Sequence, residues 1–215
     1  MLKQLIRGLT PPIVFSMLRT LKQRLNFGSS IFEGFYKTLV EVPPTGANPF
    51  EHPNWISYVS TRAESRKNGV ANQDMHEMCL SLITSIMPAT DEPESQSIID
   101  FGGGVGMYWP VFKAQNKAAI NTEFIVIDSK ENCIKGRKLF GDQGILFQSD
   151  FEQAAKDHQQ IKVLNVASTL HYCLEYEQAI SMLCGSNAKF IVVSRHPAQD
   201  NGLLVAYTVQ NKVDP

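Results

Sequence analysis

The sequence predicts an α/β protein whose sheet is doubly wound and mostly parallel. From residue 97 onward, short apolar runs rich in Ile and Val alternate with segments of helical periodicity. Such alternation is typical of parallel strands joined by right-handed helical crossovers. A glycine loop spaced G-x-G-x-G follows the first apolar run, at residues 102–106. A strand that leads through glycines into a helix brings backbone N–H groups close to a nucleotide-like ligand.

The elements of this sheet are predicted as five short strands with a helix after each of the first four. The apolar runs are short and nearly continuous, as expected for strands that are covered by helices on both faces. The predicted strands are residues 97–101, 123–128, 144–148, 161–167 and 189–194. The predicted helices are residues 107–117, 130–140, 151–158 and about 175–185.

The chain is divided by its composition into three parts. Residues 1–27 form a basic helical arm, and residues 28–70 an irregular segment rich in Gly and Pro and anchored by aromatic residues. Residues 71–215 form the α/β domain, which opens with an amphipathic helix predicted at residues 71–87.

The N-terminal arm carries five basic side chains and no acid in the first 32 residues of the chain. Apolar residues are interleaved with them, which predicts two short amphipathic helices broken at Pro11 and Pro12. Two interpretations stay open. The arm packs on its own domain or on a partner subunit, or it lies on an anionic membrane surface.

The overall composition excludes several classes of protein. The formal net charge of -1 lacks the basic excess that bulk nucleic-acid binding requires. The four cysteines are far apart and form no C-x-x-C pair, which favours reduced thiols and a cytoplasmic location over a disulfide frame or a zinc site. We expect no signal peptide, no transmembrane helix and no metal site.

The carboxyl ends of the predicted strands carry the candidate binding residues, since ligands of doubly wound sheets lie at that edge. The first strand delivers Asp100 and then the loop glycines, Gly102, Gly103, Gly104 and Gly106. The second strand ends in Asp128, whose carboxylate can accept hydrogen bonds from the vicinal hydroxyls of a ribose. The alternative for Asp128 is a helix cap.

The later strand ends add further candidates. After the third strand, Asp150 and Phe151 are suited to an adenine amino group and ring, although Asp150 also fits a plain helix cap. After the fourth strand, Ser168, His171 and Tyr172 lie where a transferred group would be. His171 is either a base, since its pKa suits proton transfer near neutral pH, or a structural hydrogen bonder. Arg195 and His196 follow the fifth strand, where they either bind an anionic substrate or lie at the surface.

The chain resembles the class I S-adenosylmethionine-dependent methyltransferases over about residues 97–197. The motifs that carry the resemblance are I-I-D-F-G-G-G-V-G, a following strand that ends in Asp128, Q-S-D-F and S-T-L-H-Y. More narrowly, the chain is similar to a bacterial family of methyltransferases encoded with surface-polysaccharide genes. That family shows D-F-G-G-G-x-G, an upstream F-x-G-x-Y and an L-Q-Y-like run, which match residues 100–106, 32–36 and 170–172. His171 stands where the family tends to have glutamine.

The resemblance implies S-adenosylmethionine as the cofactor and a small molecule or a sugar or glycan intermediate as the acceptor. Gly102, Gly104 and Gly106 would approach the methionine part, Asp128 would bind ribose, and Asp150 with Phe151 would hold adenine. His171 or Tyr172 would remove a proton if the acceptor is a hydroxyl. Such folds usually continue past the fifth strand with a helix and an antiparallel strand pair. We expect these last antiparallel strands to be shortened or missing here, and an uncovered edge favours a homodimer.

Two other classes of function stay open from the sequence. A nicotinamide-dependent oxidoreductase shares the fold and the acid of the second strand, but its G-x-G-x-x-G fingerprint would need glycine at Met107. A non-catalytic binding protein with a degenerate methyltransferase fold is favoured by the short C-terminal region and by His171.

Overall fold

The computed structural model describes residues 32–43, 49–68, 83, 96–115, 122–141, 143–158, 160–196 and 207–210. The chain forms two compact units, of which one holds residues 1–46 and 202–214, and the other residues 47–201 with Pro215. The arm predicted at residues 1–27 lies outside the described residues. So does the helix predicted at residues 71–87, except Ile83, which is helical and fully buried.

The larger unit contains a five-stranded sheet in which every strand is parallel to its neighbours. Its strands are β2 (Gln96–Phe101), β3 (Thr122–Ile127), β4 (Ile145–Gln148), β5 (Ile161–Ala167) and β6 (Phe190–Ser194), and the spatial order is β4-β3-β2-β5-β6. The chain therefore runs outward from β2 to β4 and then returns to the other side of β2. The predicted doubly wound, Rossmann-like sheet is confirmed. Ligands of such sheets bind at this reversal point, beyond the carboxyl ends of β2 and β5.

Five helices of the larger unit are described, and they cover both faces of the sheet. They are α1 (Pro53–Lys67), α2 (Trp109–Gln115), α3 (Lys130–Phe140), α4 (Phe151–Asp157) and α5 (Tyr176–Cys184). Successive residues of β2 point to opposite faces. Ile98 accordingly joins a core with Phe112 and Phe124, whereas Ile99 joins a second core with Leu164. α2 begins two residues later than predicted, because the chain continues in turns from residue 104 to residue 108.

α1 corrects the expectation that residues 28–70 are irregular. Pro53 occupies the first turn of the helix, where a missing N–H costs nothing, and the Nδ1 atom of His52 caps the helix by accepting the Asn54 N–H at 3.2 Å. The helix buries Val59 and Ala63, which lie four residues apart on one face. The glycines and prolines on which the expectation rested all lie before residue 54.

The smaller unit contains an antiparallel pair of strands, β1 (Phe32–Tyr36) and β7 (Tyr207–Gln210). Neither strand was predicted from the sequence. Gly34 interrupts β1, and the register shifts between Glu33 and Tyr36, so the alternation that marks a strand is weak there. Among the described residues, no antiparallel strand extends the five-stranded sheet.

The outer strand β6 forms one edge of the five-stranded sheet and exposes the apolar side chains of Phe190, Ile191 and Val193. Unpaired backbone groups at such an edge can pair with another chain, and the homodimer expected from the sequence stays a prediction. Within the described part of the chain, no helix has the length and apolar character needed to cross a bilayer.

Candidate cofactor and acceptor site

The glycine loop connects β2 to α2 in a conformation that requires glycine. Gly102, Gly104 and Gly106 have φ values of 74°, 61° and 87°, in the left-handed region that other residues avoid. A Cβ atom at Gly102 would clash with the side chain of Thr169, whereas one at Gly104 would meet none of the described residues within 4 Å. Within the part of the chain that the structure describes, the loop is therefore packed closely at its start and open at Gly104, which leaves room for a ligand beside the Gly104 backbone.

Asp128 is joined to the loop by a hydrogen bond within the chain. Its Oδ2 atom accepts the Gly104 N–H at 2.7 Å, and its Oδ1 atom accepts the Ser129 N–H at 2.8 Å and the Asn132 side-chain amide at 2.7 Å. Each carboxylate oxygen can accept about two hydrogen bonds. Among the described residues, Oδ2 therefore keeps one acceptor position without a partner. The cap of α3 is Ser129, which excludes the alternative in which Asp128 is the capping residue.

Asp100 lies beneath the loop and is paired with a residue that sequence reasoning missed. The side-chain amide of Asn165, on β5, donates to Asp100 Oδ1 at 2.7 Å, and both residues are almost fully buried. Asp100 Oδ2 and Asn165 Oδ1 have no hydrogen-bond partner among the described residues. A Cβ atom at Gly103 would clash with Asp100 Oδ2. The signal for this pair was an asparagine inside the apolar run of residues 161–167.

Burial raises the pKa of Asp100 to about 7, against the lowering effect of the hydrogen bond from Asn165, and the charge of Asp128 raises it further. A carboxyl group that titrates near neutral pH is therefore buried next to the glycine loop. Its predicted part in cofactor binding stays a proposal.

Asp150 is an exposed helix cap, whereas the ring of Phe151 is buried. Asp150 caps α4 by accepting the Gln153 N–H on Oδ1 at 3.0 Å, as the sequence allowed, and its side chain is otherwise exposed. Phe151 is only 6% exposed and packs edge-on against Phe101 at 5.6 Å between ring centroids. The ring is therefore part of the core, whereas the carboxylate of Asp150 is accessible. Their predicted contact with adenine stays a proposal.

The segment after β5 is tied directly to the glycine loop. The Thr169 hydroxyl lies 3.2 Å from the Phe101 carbonyl and 3.1 Å from the Ala167 carbonyl, so it joins the carboxyl ends of β2 and β5. Ser168 has a φ value of 58° and donates its backbone N–H to Ser194 at the end of β6. The contact of Thr169 with Gly102, which the sequence did not predict, places the following residues beside the loop.

His171 and Tyr172 occupy a 3-10 turn that follows Thr169. The two rings lie 4.0 Å apart between centroids, and the ring of His196, after β6, is 5.6 Å from that of His171. Burial lowers the pKa of His171, and the nearby charges of His196 and Arg195 lower it further. Burial raises the pKa of Tyr172. His171 is therefore neutral at neutral pH and Tyr172 keeps its proton.

A cluster of aromatic rings borders His171 on the side of α1, and we call it the aromatic cluster. Phe50 lies 4.6 Å from Tyr172 and 5.5 Å from Trp55, and Trp55 lies 5.8 Å from Tyr58. Tyr172 is 39% exposed, and the other three rings are half-buried. The cluster thus offers partly open ring surface next to the imidazole. In the described part of the chain, no group of three or more His, Cys, Asp or Glu side chains could hold a metal ion.

Methyltransferases are among the solved structures that are similar to this chain, at low sequence identity. The CurJ carbon methyltransferase is 19% identical over 55% of this chain and 34% of its own, with a TM-score of 0.46. The plantazolicin methyltransferase BpumL, solved with SAH, is 17% identical over 67% of this chain and 55% of its own, with a TM-score of 0.44. A Methanococcus maripaludis protein provisionally assigned to the S-adenosyl-L-methionine-dependent methyltransferases is 11% identical over 71% and 68%, with a TM-score of 0.48.

This chain spans about a third to about a half of the length of the first solved structures that it resembles. No protein-family model matches it, and no curated protein sequence matches it.

Proposed function

We propose that this protein is an S-adenosylmethionine-dependent methyltransferase that methylates a hydroxyl group of a small molecule. The observation that carries the proposal is the arrangement of Asp128 and Gly104. Among the residues that the structure describes, none takes the second acceptor position of Oδ2 and none fills the space beside Gly104. A ribose hydroxyl needs a hydrogen-bond acceptor, and the chain attached to the ribose needs a backbone without a side chain in its way.

The residues around this position fit S-adenosylmethionine. Asp128 would accept a ribose hydroxyl, the accessible carboxylate of Asp150 would accept the adenine amino group, and the loop backbone would lie against the methionine part. Ser168, at the end of β5, would face the same part of the cofactor. When bound, S-adenosylmethionine supplies a methyl group on a positively charged sulfur, and the electron pair of the broken S–C bond stays on that sulfur.

His171 is the residue that we assign to proton removal from the acceptor. It is neutral at neutral pH, and its Nδ1 atom is buried with no hydrogen-bond partner among the described residues. A neutral imidazole can take a hydroxyl proton, whereas a protonated phenol such as that of Tyr172 cannot. Tyr172 was also a candidate base from the sequence. In this proposal its aromatic ring contacts the acceptor and takes no proton.

Two finer parts of the proposal rest on the sequence resemblance: a sugar or glycan intermediate as the acceptor, and a role in surface-polysaccharide synthesis. Two others rest on composition: a cytoplasmic location, from the cysteines, and a contact of the basic arm with anionic membrane. For the arm, co-sedimentation with vesicles should require anionic lipid and weaken with salt. Equal binding to neutral vesicles would contradict that assignment.

Calorimetry with the purified full chain tests the cofactor directly. We expect S-adenosylhomocysteine to bind, and Asp128→Asn to weaken its binding by about ten- to a hundredfold, as for a lost hydrogen bond to a charged group. Asp157→Asn is the matched control, since it removes the same charge from an exposed position at the end of α4.

Calorimetry with a reduced nicotinamide dinucleotide tests the competing oxidoreductase hypothesis. If that ligand binds and S-adenosylhomocysteine does not, the proposed function is wrong. If S-adenosylhomocysteine binds but no acceptor is methylated in a broad panel of nucleotide sugars, lipid-linked saccharides and hydroxy acids, the protein is a non-catalytic binding module.

A further inference from the structure

Two buried oxygen atoms next to the glycine loop lack a hydrogen-bond donor in the described part of the chain. Asp100 and Asn165 are both buried, and the Asn165 amide donates to Asp100 Oδ1 at 2.7 Å. Asp100 Oδ2 and Asn165 Oδ1 have no partner among the described residues. Buried polar atoms are rarely left unpaired, because each unpaired atom costs free energy. Two such acceptors on neighbouring strands therefore indicate a place that suits a positive charge.

The described charges around Asp100 do not supply this positive charge. The influences on its pKa are burial, which raises it, the hydrogen bond from Asn165, which lowers it, and the charge of Asp128, which raises it. Arg66 of α1 and His171 of the turn after β5 are not among these influences, and neither is any side chain of α2. The glycine loop itself carries no titratable side chain. None of these groups thus stabilises the ionised carboxyl as a cation would.

The order of the strands relates Asp100 to the place of the cofactor. Asp128 follows β3, His171 follows β5, and both of these strands pair with β2. In S-adenosylmethionine the positively charged sulfur is bonded to the carbon chain of the ribose and to the methyl group that is transferred. A cofactor with its ribose at Asp128 and its methyl group directed to His171 would therefore have its sulfur near the end of β2. Asp100 is the last residue but one of that strand.

We propose that Asp100 selects the methyl donor over its product, because its carboxyl ionises next to the positively charged sulfur of S-adenosylmethionine. This inference rests on the proposed function and assigns the residue that distinguishes the two forms of the cofactor. S-adenosylhomocysteine carries no charge on sulfur and gives the ionised carboxyl no such partner. Asn165 is a positioning residue, because its amide holds Oδ1 while Oδ2 lies beside Gly103.

The sign of the pH effect follows from the raised pKa of Asp100. In the free protein the carboxyl is mainly protonated below about pH 7 and mainly ionised above it. At low pH the cation must displace a proton, so the affinity for S-adenosylmethionine should rise with pH and level off above about 7. A decrease of the pKa by about one unit in the complex corresponds to about a tenfold gain in affinity at most.

Transfer of the methyl group removes the charge that keeps Asp100 ionised. The electron pair of the broken S–C bond stays on sulfur, the proton of the acceptor moves to His171, and Asp100 regains a proton from water. The carboxyl then contributes less to binding of the product than it contributed to binding of the donor. The same residue therefore favours both the binding of S-adenosylmethionine and the release of S-adenosylhomocysteine.

Calorimetry of the full chain with each of the two ligands tests this selection. We expect the ratio of their dissociation constants to change about fivefold in favour of S-adenosylmethionine between about pH 5.5 and about pH 7.5. The ratio cancels the ammonium and carboxylate groups that both ligands share. At about pH 6.5, titrations in phosphate and in Tris, which differ in ionisation enthalpy, should show release of about half a proton per S-adenosylmethionine bound. S-adenosylhomocysteine should release less.

Variants assign these signals to the buried pair. Asp100→Asn cannot ionise, so its ratio of dissociation constants should not change with pH. Asn165→Leu removes the hydrogen bond that lowers the pKa of Asp100, so the change in the ratio should move to higher pH. Asp157→Asn is the matched control, since it removes an exposed carboxylate at the end of α4 and should behave as the natural protein.

The outcomes separate this inference from the proposed function. If both ligands bind with a ratio that is the same at both pH values, or if the pH dependence survives Asp100→Asn, the inference is overturned while the proposed function stands. If neither ligand binds, the proposed function is wrong and the inference falls with it.

Discussion

Replacement of Asp100 by Asn should make the protein more stable above neutral pH. Burial raises the pKa of this carboxyl from 3.8 to about 7. The folded protein therefore holds a proton that the unfolded chain has released at any pH between these two values. The unfolding free energy falls with rising pH across this window, by about 1.4 kcal/mol per pH unit for a single proton. Below pH 3.8 both states are protonated, and above about 7 the penalty is complete.

The size of the full penalty follows from the same shift. A rise from 3.8 to about 7 corresponds to about 4 kcal/mol of unfolding free energy in the ionised state. Asn has nearly the shape of Asp and cannot ionise, and its carbonyl can still accept the amide of Asn165. We expect Asp100→Asn to gain up to about 4 kcal/mol over the natural protein at about pH 8, and much less at about pH 5.

Urea denaturation at a series of pH values measures this difference. The midpoint should shift without a change in the slope of free energy against denaturant, which would otherwise indicate a change in the exposed surface. Asp157→Asn, which removes an exposed carboxylate at the end of α4, is the control and should follow the natural protein. If Asp100→Asn shows the same pH dependence as the natural protein, or is less stable at high pH, the assignment of a buried and costly carboxylate is refuted.

Three further predictions concern the loop and the acceptor site. Gly102→Ala should destabilise the protein more than Gly104→Ala. Both glycines have positive φ, but only a Cβ atom at Gly102 would meet a side chain of the described residues. Thermal denaturation measures the difference in stability, and equal losses would contradict the prediction. Gly104→Ala should cost about 1–2 kcal/mol of stability yet weaken S-adenosylhomocysteine binding at least about tenfold by filling the open space, and unchanged affinity by calorimetry would show that the ligand lies elsewhere. With an identified acceptor, His171→Asn should lower kcat by about a hundredfold or more whereas Tyr172→Phe keeps most of it, and the reverse order would make the phenol the base.

The fold could be predicted from the sequence because local patterns mark it. Parallel strands buried on both faces are short runs of Ile and Val, so β5 was predicted with its observed bounds and α3 likewise. The strand β1 was missed because its pairing partner is far away in the sequence and a glycine interrupts its alternation. The helix α1 was missed because the Gly and Pro residues up to its start were taken to indicate an irregular segment that continues to residue 70.

The site could be predicted only in part. Strand ends and glycines located Asp128 and the loop, since these positions follow from chain topology alone. The buried partner of Asp100 depends on which strands become neighbours, and Asn165 comes from a strand that is distant in the sequence. The meeting of Phe50 with Tyr172 depends in the same way on how α1 and the turn after β5 pack. The asparagine inside an apolar run marks Asn165 as unusual but does not tell which residue it meets, and the contact of Phe50 with Tyr172 has no local signature.

The hydrogen bond from Gly104 to Asp128 has a consequence for the thermodynamics of binding. Together with the Gly102 N–H bonded to the Ile127 carbonyl at 2.8 Å, it fixes the loop through hydrogen bonds within the chain itself. The conformational entropy of ordering these residues is therefore lost during folding, and a ligand does not have to supply it again. We expect the heat-capacity change of binding to match the surface of the ligand alone, without the larger change that a segment ordering around it would add.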